Sequence, residues 1–116
     1  MNISIFDLLQ ISIGPSSSHT MGPMRAAAYF VEHYEKRHKL AHVHTITIEL
    51  FGALAHTGEG HGTVPAVLLG LEGQTPETIT PKYLKKRFKK ITETQTLNLP
   101  NHHAVKFDLK KHLVFN

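Results

Sequence analysis

The chain has 116 residues, enough for about one domain, and its 41% hydrophobic and 19% charged residues are typical of a folded globular protein. It contains no cysteine, so this chain cannot by itself form a disulfide, supply a thiolate nucleophile or ligate an iron–sulfur cluster. Its net charge of +4 arises in residues 76–116, which carry nine Lys or Arg and three Asp or Glu, against four and six in residues 1–75. No apolar run approaches the roughly 18 residues of a membrane span, and the amino terminus lacks the basic-then-apolar order of a signal peptide. We therefore expect a cytoplasmic protein.

The first 51 residues predict a short apolar element, a loop, a helix and a strand. Ile3 to Leu9 is a short apolar run, which predicts one helical turn or an edge strand. Residues 14–23 contain two Gly, two Pro and four hydroxyl residues, a composition typical of a loop. From Met24 to about Lys36 the apolar residues recur at helical spacing, and the alanines at 26–28 would let another element pack closely. Val43 to Phe51 alternates apolar and polar residues, which predicts a strand.

A glycine-rich segment, residues 52–62, follows that strand and contains four glycines. It leads into a predicted helix from Thr63 to Leu71, because Thr63 is a good helix cap and Gly73 suits the turn that ends a helix. Gly70 is expected to weaken the last turn of this helix.

Beyond residue 79 the pattern predicts one more helix and further strands. Thr80-Pro81 is a typical helix start, and Leu84, Phe88 and Ile91 form an apolar stripe along that helix. Strands are predicted around residues 97–99 and 104–109, and another from Leu113. Helices and strands in this order predict an α/β or α+β two-layer domain. Because the pattern still indicates a strand at Asn116, we expect the domain to continue beyond it.

The serine-rich segment, residues 14–20, is the strongest local signal of a binding site. Four hydroxyl residues stand just before the first predicted helix: Ser16, Ser17, Ser18 and Thr20. A helix start offers unpaired N–H groups and a partial positive charge, and the hydroxyls add further donors. His19 adds a group that can exchange a proton. These features predict a seat for a carboxylate or phosphate; the simpler alternative is that the hydroxyls only cap the helix.

The glycine-rich segment brings His61 between Gly60 and Gly62, where a substrate or another chain can approach the backbone closely. The segment lacks the Gly-Lys-Ser/Thr ending of a phosphate loop and the glycine order of a dinucleotide fingerprint. The alternative interpretation is a tight strand-to-helix turn with an exposed histidine.

The ten histidines and the lysine-rich run between residues 82 and 90 suggest two other functions. Zinc requires three or four converging ligands, and the chain has no His-Glu-x-x-His pattern, so no metal site is predicted. The lysine-rich run lies opposite the apolar stripe of its own helix, and a solvated helix face explains it better than nucleic-acid binding does.

Two long motifs stand in the chain in order. The first is Ser12-Ile13-Gly14-Pro15-Ser16-Ser17-Ser18-His19-Thr20, followed by Gly22-Pro23-Met24. The second runs from Glu49-Leu50-Phe51-Gly52-Ala53-Leu54-Ala55 to Gly60-His61-Gly62-Thr63. Both resemble the beta domain of the bacterial iron–sulfur-dependent L-serine dehydratases, which are L-serine ammonia-lyases. The resemblance is close over residues 1–75 and loose over residues 76–116.

The resemblance implies an activity, a cofactor, a partner and a fold. Enzymes of this family convert L-serine to pyruvate and ammonia, and a 4Fe-4S cluster in a separate, cysteine-bearing alpha domain acts as a Lewis acid on the serine hydroxyl. This chain would then be a beta domain that works with the alpha domain and binds no cluster itself. The implied fold is an α+β two-layer domain with a mixed, roughly four-stranded sheet and helices packed on one side. It is similar to the regulatory substrate-binding domain of some phosphoglycerate dehydrogenases.

The resemblance also implies that both segments face the active site. It gives catalytic roles to His19, His61 and Thr63, and it gives substrate or anion binding to the hydroxyls of Ser16, Ser17, Ser18 and Thr20. Val64 and Pro65 stand where the family usually has Asp and Lys. The family's domain also runs some tens of residues further, so residues 1–116 are expected to form one beta-type domain that is incomplete at its carboxyl end.

A second function stays open at this point: a non-catalytic domain that senses serine or a related anion. A cysteine-bearing alpha domain in the same or a neighbouring reading frame would favour the enzyme. The partners expected from the sequence are the alpha domain and L-serine, with no nucleic acid and no membrane. A homodimer also stays open.

Overall fold

Helices and short strands alternate along the chain in a computed structural model that describes residues 2–4, 21–38, 40–50 and 63–115. The elements are, in chain order, β1 (Asn2–Ser4), α1 (Met21–Arg37), a 3-10 turn (Leu40–His42), β2 (Thr45–Leu50), α2 (Thr63–Leu71), α3 (Pro81–Thr94), β3 (Thr96–Leu99), β4 (His103–Lys106), α4 (Leu109–His112) and β5 (Leu113–Phe115). The predicted α+β class is confirmed. None of the helices within these ranges is long and apolar enough to cross a membrane.

The strands form two small sheets in the part of the chain that the structure describes, whereas the family resemblance implied one mixed sheet of about four strands. One sheet has the order β1-β2-β5 and is parallel throughout, and the other is the antiparallel pair β3-β4. The antiparallel pair closes locally because Asn101 and His102 both adopt positive φ angles, 65° and 60°, in the tight turn between its strands. The short α4 then returns the chain so that β5 pairs with β2.

Helix α2 is the centre of the core. Six of its side chains are at most 7% exposed: Val64, Ala66, Val67, Leu68, Leu69 and Leu71. A helix that is apolar on all sides is stable in water only when other elements surround it. Helix α1 covers one side of α2 and buries Met24, Ala27 and Val31 at the spacing that its sequence predicted.

Gly70 lies where α1 and α2 approach each other most closely. A Cβ atom at this position would overlap the Met24 carbonyl oxygen and would stand 2.7 Å from the Cβ of Ala27. From the sequence, Gly70 was predicted only to weaken the end of α2. The structure shows that this prediction missed its main role, since the absence of a side chain is what lets the two helices pack.

Several local predictions are confirmed. The Thr80 hydroxyl caps α3 by accepting the Tyr83 N–H at 3.1 Å. Ile91 is fully buried, and Gly73 ends α2 with a φ of 91°. The strand predicted over residues 104–109 ends earlier, at Lys106, because the Asp108 side chain accepts the Lys110 N–H at 3.0 Å and starts a helical turn.

Candidate functional site

Two connections leave the parallel sheet at the same edge. Strands β1 and β2 run in the same direction, with Asn2 paired to Thr45 and Ser4 paired to Thr47. The carboxyl ends of parallel strands point to one edge of a sheet, and open sheets of this kind bind ligands outside that edge. Residues 5–20 follow β1 and residues 51–62 follow β2. The two predicted segments therefore continue from neighbouring strand ends.

Each connection ends at the start of a helix. α1 begins at Met21, directly after the serine-rich segment, and α2 begins at Thr63, two residues after His61. Neither helix has an acidic residue in its first turn. The partial positive charge of each helix start is therefore not offset by a carboxylate from the first turn of the same helix, which favours an anionic ligand.

Most of the predicted site residues lie outside the described residues. These are the four hydroxyl residues and the two histidines of the predicted site: Ser16, Ser17, Ser18, Thr20, His19 and His61. Thr63 is the first residue of α2, and only its backbone is described. The roles assigned to these side chains therefore stay predictions.

Val64 is the described residue nearest to the Gly-His-Gly-Thr motif whose side chain has a defined environment. It is 7% exposed and belongs to the hydrophobic core. Val64 stands where the resembling family has Asp, so in this chain the position serves packing. Pro65 follows in the first turn of α2, where its missing N–H costs no helical hydrogen bond.

A partly buried polar cluster that the sequence did not indicate joins the end of α2 to α3 and β3. The Glu72 carboxylate accepts Arg87 Nε–H at 2.8 Å and an Arg87 Nη2–H at 2.7 Å. It also accepts the backbone N–H of Asn98 at 2.7 Å. The side chains are 6% exposed for Glu72 and 16% for Arg87. The hydrogen bond that Arg87 donates to Glu72 raises the pKa of Arg87 above its already high ordinary value, and burial opposes that shift.

The Glu72 cluster forms one wall of a cavity of about 540 Å³. Other walls of this cavity are polar residues from α3, from β3 and from the turn after β3: Tyr83, Asn98, Asn101 and His102. The two Arg87 nitrogens that face Glu72 both donate to its carboxylate. The cluster therefore holds α3 against the end of α2, and its guanidinium is not a free cation for a ligand.

Arg87 corrects one prediction about the lysine-rich run. The sequence placed all of its basic residues on a solvated face, and the five lysines are indeed exposed. Arg87 instead turns toward Glu72 and is partly buried. Arg87 lies three residues after Leu84 and one before Phe88, so it borders the apolar stripe of α3. That position in the sequence could have indicated that Arg87 is partly buried.

Several histidines have structural partners. His103 Nε2 donates to the Val43 carbonyl at 2.8 Å, and His112 Nδ1 accepts the Asp108 N–H at 2.9 Å. Within the ranges described above, no three His, Cys, Asp or Glu side chains converge in a way that could hold a metal ion.

The fold is thus a small α+β domain in which two strand-to-helix connections leave one edge of a parallel sheet. The chain belongs to the serine dehydratase beta chain family, whose family model matches residues 4–116.

Curated relatives agree with this assignment. The chain is similar to an L-serine dehydratase of Mycobacterium bovis, with 55% identity over 91 residues that cover 78% of this chain and 20% of the relative. It is 46% identical to an L-serine dehydratase of Streptomyces coelicolor over 107 residues, 92% of this chain and 24% of the relative. It is 37% identical to L-serine dehydratase 1 of Escherichia coli over 106 residues, 90% of this chain and 23% of the relative. The chain therefore spans about a fifth to a quarter of the length of these relatives.

Proposed function

We propose that this chain is the beta part of an L-serine dehydratase, which converts L-serine to pyruvate and ammonia. The observation that carries the proposal is the match of residues 4–116 to the serine dehydratase beta chain family, together with relatives that are named L-serine dehydratases. Because those names are all of dehydratases, they favour the enzyme over a domain that only senses serine.

The reaction makes two demands that the predicted site can meet. The substrate carboxylate must be held, and the hydroxyls of residues 16–20 at the start of α1 suit an anion. The alpha proton must be removed as the hydroxyl leaves, and His61 between two glycines suits that proton transfer. We assign proton transfer to His61, with His19 and Thr63 as further catalytic residues. The parallel β1 and β2 support this assignment, since both segments follow strand ends at one edge.

The 4Fe-4S cluster that the family implies does not fit this chain. Such clusters are held by cysteine thiolates, and this chain has no cysteine. We therefore assign the cluster to an alpha domain outside these 116 residues. The length of the relatives, four to five times the matched region, leaves room for such a domain. The likeness to the regulatory substrate-binding domain of some phosphoglycerate dehydrogenases belongs to the same proposal.

We expect the 116-residue chain to release no pyruvate from L-serine on its own, even after anaerobic treatment with iron and sulfide. The physical reason is the lack of thiolate ligands. The chain should restore activity when it is mixed with the remaining part of a related L-serine dehydratase, expressed without its beta region. Pyruvate is measured in each sample. Activity of the chain alone would contradict the proposal, as would a folded, cluster-loaded alpha part that this chain cannot activate.

We expect His61→Ala to lower the turnover of the assembled enzyme by about a hundredfold or more, because general acid–base catalysis by one side chain contributes at least that much. The flanking glycines predict an accessible His61, so the melting temperature of the chain should hardly change; substitutions at exposed positions usually shift stability by no more than about 0.5 kcal/mol. His44→Ala is the matched control, because His44 is exposed and lies outside both motifs. Wild-type turnover in the His61→Ala enzyme would remove His61 from the mechanism, and a large loss of stability would make it a structural residue.

A further inference from the structure

An apolar groove lies between the first turn of α1 and the start of α3, with a volume of about 500 Å³. Five of the residues that line it are apolar: Met24, Pro76, Ile79, Pro81 and Leu84. Met24 is 1% exposed and forms the floor, whereas Ile79 and Leu84 are only partly buried against the core. The described residues therefore leave a concave apolar surface uncovered, and surfaces of this kind mark sites of interaction.

Hydrogen bonds fix the walls of this groove. In the connection from α2 to α3, the Thr75 N–H donates to the Thr78 hydroxyl at 2.9 Å, and the Thr80 hydroxyl caps α3. Arg25 of α1 donates to the Glu77 carboxylate, with one contact at 2.9 Å, and so joins the two sides of the groove. A surface that is already ordered loses little conformational freedom when a partner binds, which favours binding.

The rim of the groove carries a positive charge on the α3 side. Lys85 directly follows Leu84 and lies one turn after Pro81, so it borders the groove. It is exposed and forms no ion pair within the ranges that the structure describes. On the α1 side the charge of Arg25 is balanced by Glu77. The groove therefore fits a partner whose apolar side chain stands next to an acidic residue.

The groove also lies next to one of the predicted catalytic segments. Met24 is three residues from the start of α1 at Met21, about 4.5 Å along the helix axis. Since α1 directly follows the serine-rich segment, a domain that contacts this segment also reaches the first turn of α1. The proposed function requires such a domain, because the cluster must lie outside this chain. The relatives are four to five times longer than the matched region and have room for it.

We propose that this groove is a docking surface for the alpha domain of the L-serine dehydratase. An apolar side chain of that domain inserts between Met24 and Leu84, and a neighbouring carboxylate contacts Lys85. The contact holds the alpha domain against the first turn of α1, beside the serine-rich segment. This inference rests on the function proposed above, but it concerns binding, and the groove residues have no catalytic role.

The first test titrates the 116-residue chain into the alpha part of a related L-serine dehydratase, expressed without its beta region. Calorimetry gives the dissociation constant, and pyruvate is measured in the same mixtures. Pro81→Asp should raise the constant at least tenfold, because it places a charge in the apolar groove. The fold should be kept, since an acidic residue suits the first turn of a helix. Lys85→Glu should also raise the constant at least tenfold, because it repels the partner's carboxylate.

Lys106→Glu is the matched control for Lys85→Glu. Lys106 is exposed and pairs with Thr96, which follows the end of α3, so it lies at the opposite end of α3 from the groove. The control should change the dissociation constant less than twofold. At saturating concentrations of the chain, all three variants should reach the turnover of wild type, because the groove binds the partner and takes no part in the chemistry.

The two measurements separate this inference from the proposed function. Binding that both groove variants weaken, without pyruvate in any mixture, would contradict the function and support the docking surface. Pyruvate release with an unchanged constant in Pro81→Asp and Lys85→Glu would overturn the docking surface and leave the function. A chain that does not bind the alpha part would overturn both. If the chain alone forms a dimer in sedimentation that Pro81→Asp dissociates, a second copy occupies the groove and the inference is wrong.

The second test uses the lack of cysteine in the chain. In Pro81→Cys the chain has one thiol, which lies at the groove, and mass spectrometry of the chain measures how fast it is alkylated. Binding of the alpha part should slow this alkylation at least tenfold. In Lys106→Cys the rate should be the same with and without the alpha part. A thiol at position 81 that reacts as fast in the complex as in the free chain overturns the proposal.

Discussion

The Glu72→Gln substitution is expected to lower the free energy of unfolding by about 2 kcal/mol, because removal of one partner of a partly buried ion pair leaves the other charge uncompensated. Glu72 accepts both Arg87 nitrogens that face it and the Asn98 N–H, so its carboxylate joins α2, α3 and β3. Glutamine keeps one oxygen that can accept the Asn98 N–H, but it has no charge to balance the guanidinium. Urea denaturation of the purified variant measures the loss.

The exposed pair Arg25–Glu77 gives a matched control for this prediction. Both of its side chains are more than half exposed, so Glu77→Gln should cost less than about 1 kcal/mol. If Glu72→Gln costs no more than Glu77→Gln, the Glu72–Arg87 pair contributes no more than an exposed pair and the prediction is wrong. In a Glu72→Gln, Arg87→Met double variant the unpaired charge is absent, and part of the lost stability should return.

The pH dependence of the Glu72–Arg87 pair follows from the direction of its pKa shift. The hydrogen bond with Glu72 raises the pKa of Arg87 in the folded chain. When folding raises a pKa, the resulting stabilisation is fully present at pH values below the pKa of the unfolded chain. It is lost only as the pH rises through the pKa of the folded chain. Arg87 titration therefore adds no pH dependence to stability near neutrality, and the difference between wild type and Arg87→Met should be constant from about pH 6 to 9.

Local patterns in the sequence were enough to predict most helices and strand β2. The spacing of Met24, Ala27 and Val31 predicted the face of α1 that is buried. Thr80 and Pro81 predicted the start of α3, because a hydroxyl cap and a proline in the first turn act within four residues of each other. Signals of this kind lie entirely within the segment that they describe.

The sheet arrangement could not be predicted in the same way. β5 pairs with β2 across more than sixty residues, with Ile48 opposite Leu113, and no local pattern fixes that choice. The β3-β4 turn lacks the Asn-Gly signal of a tight hairpin and instead holds Asn101 and His102 at positive φ. The Glu72–Arg87 pair also joins two helices, so neither residue alone indicated it.

The candidate site was predicted from motifs and from the chemistry of their residues. What the structure adds is the placement of the neighbouring elements: β1 and β2 end at one edge, and α1 and α2 begin directly after the two segments. The roles of His19 and His61 depend on side-chain geometry outside the described residues, and they stay predictions.

The Gly70→Val substitution is expected to lower the free energy of unfolding by at least about 3 kcal/mol, at the upper end of the usual cost of overpacking a core. Even a single Cβ at this position overlaps the Met24 carbonyl oxygen, which is backbone and cannot rotate away. Gly70→Ala should cost less, about 2 kcal/mol, since alanine regains about 1 kcal/mol of helix propensity. Urea denaturation of wild type and both variants measures these losses of unfolding free energy.

Two further variants separate packing from backbone strain at the α1–α2 crossing. Gly73→Ala tests mainly backbone strain, because Gly73 has a φ of 91° and an added Cβ would meet only the Pro100 ring, at 3.3 Å. It should cost about 1 kcal/mol. Ala27→Gly removes one of the two closest contacts of an alanine at position 70 but leaves the Met24 carbonyl in place. It should therefore rescue Gly70→Ala only in part. Full rescue would mean that the Ala27 methyl group, and not the backbone of α1, limits the helix approach. If the Gly70→Val chain is as stable as wild type, α1 can move away from α2 and the prediction is wrong. The helix crossing would then not fix the first turn of α1, which directly follows the serine-rich segment.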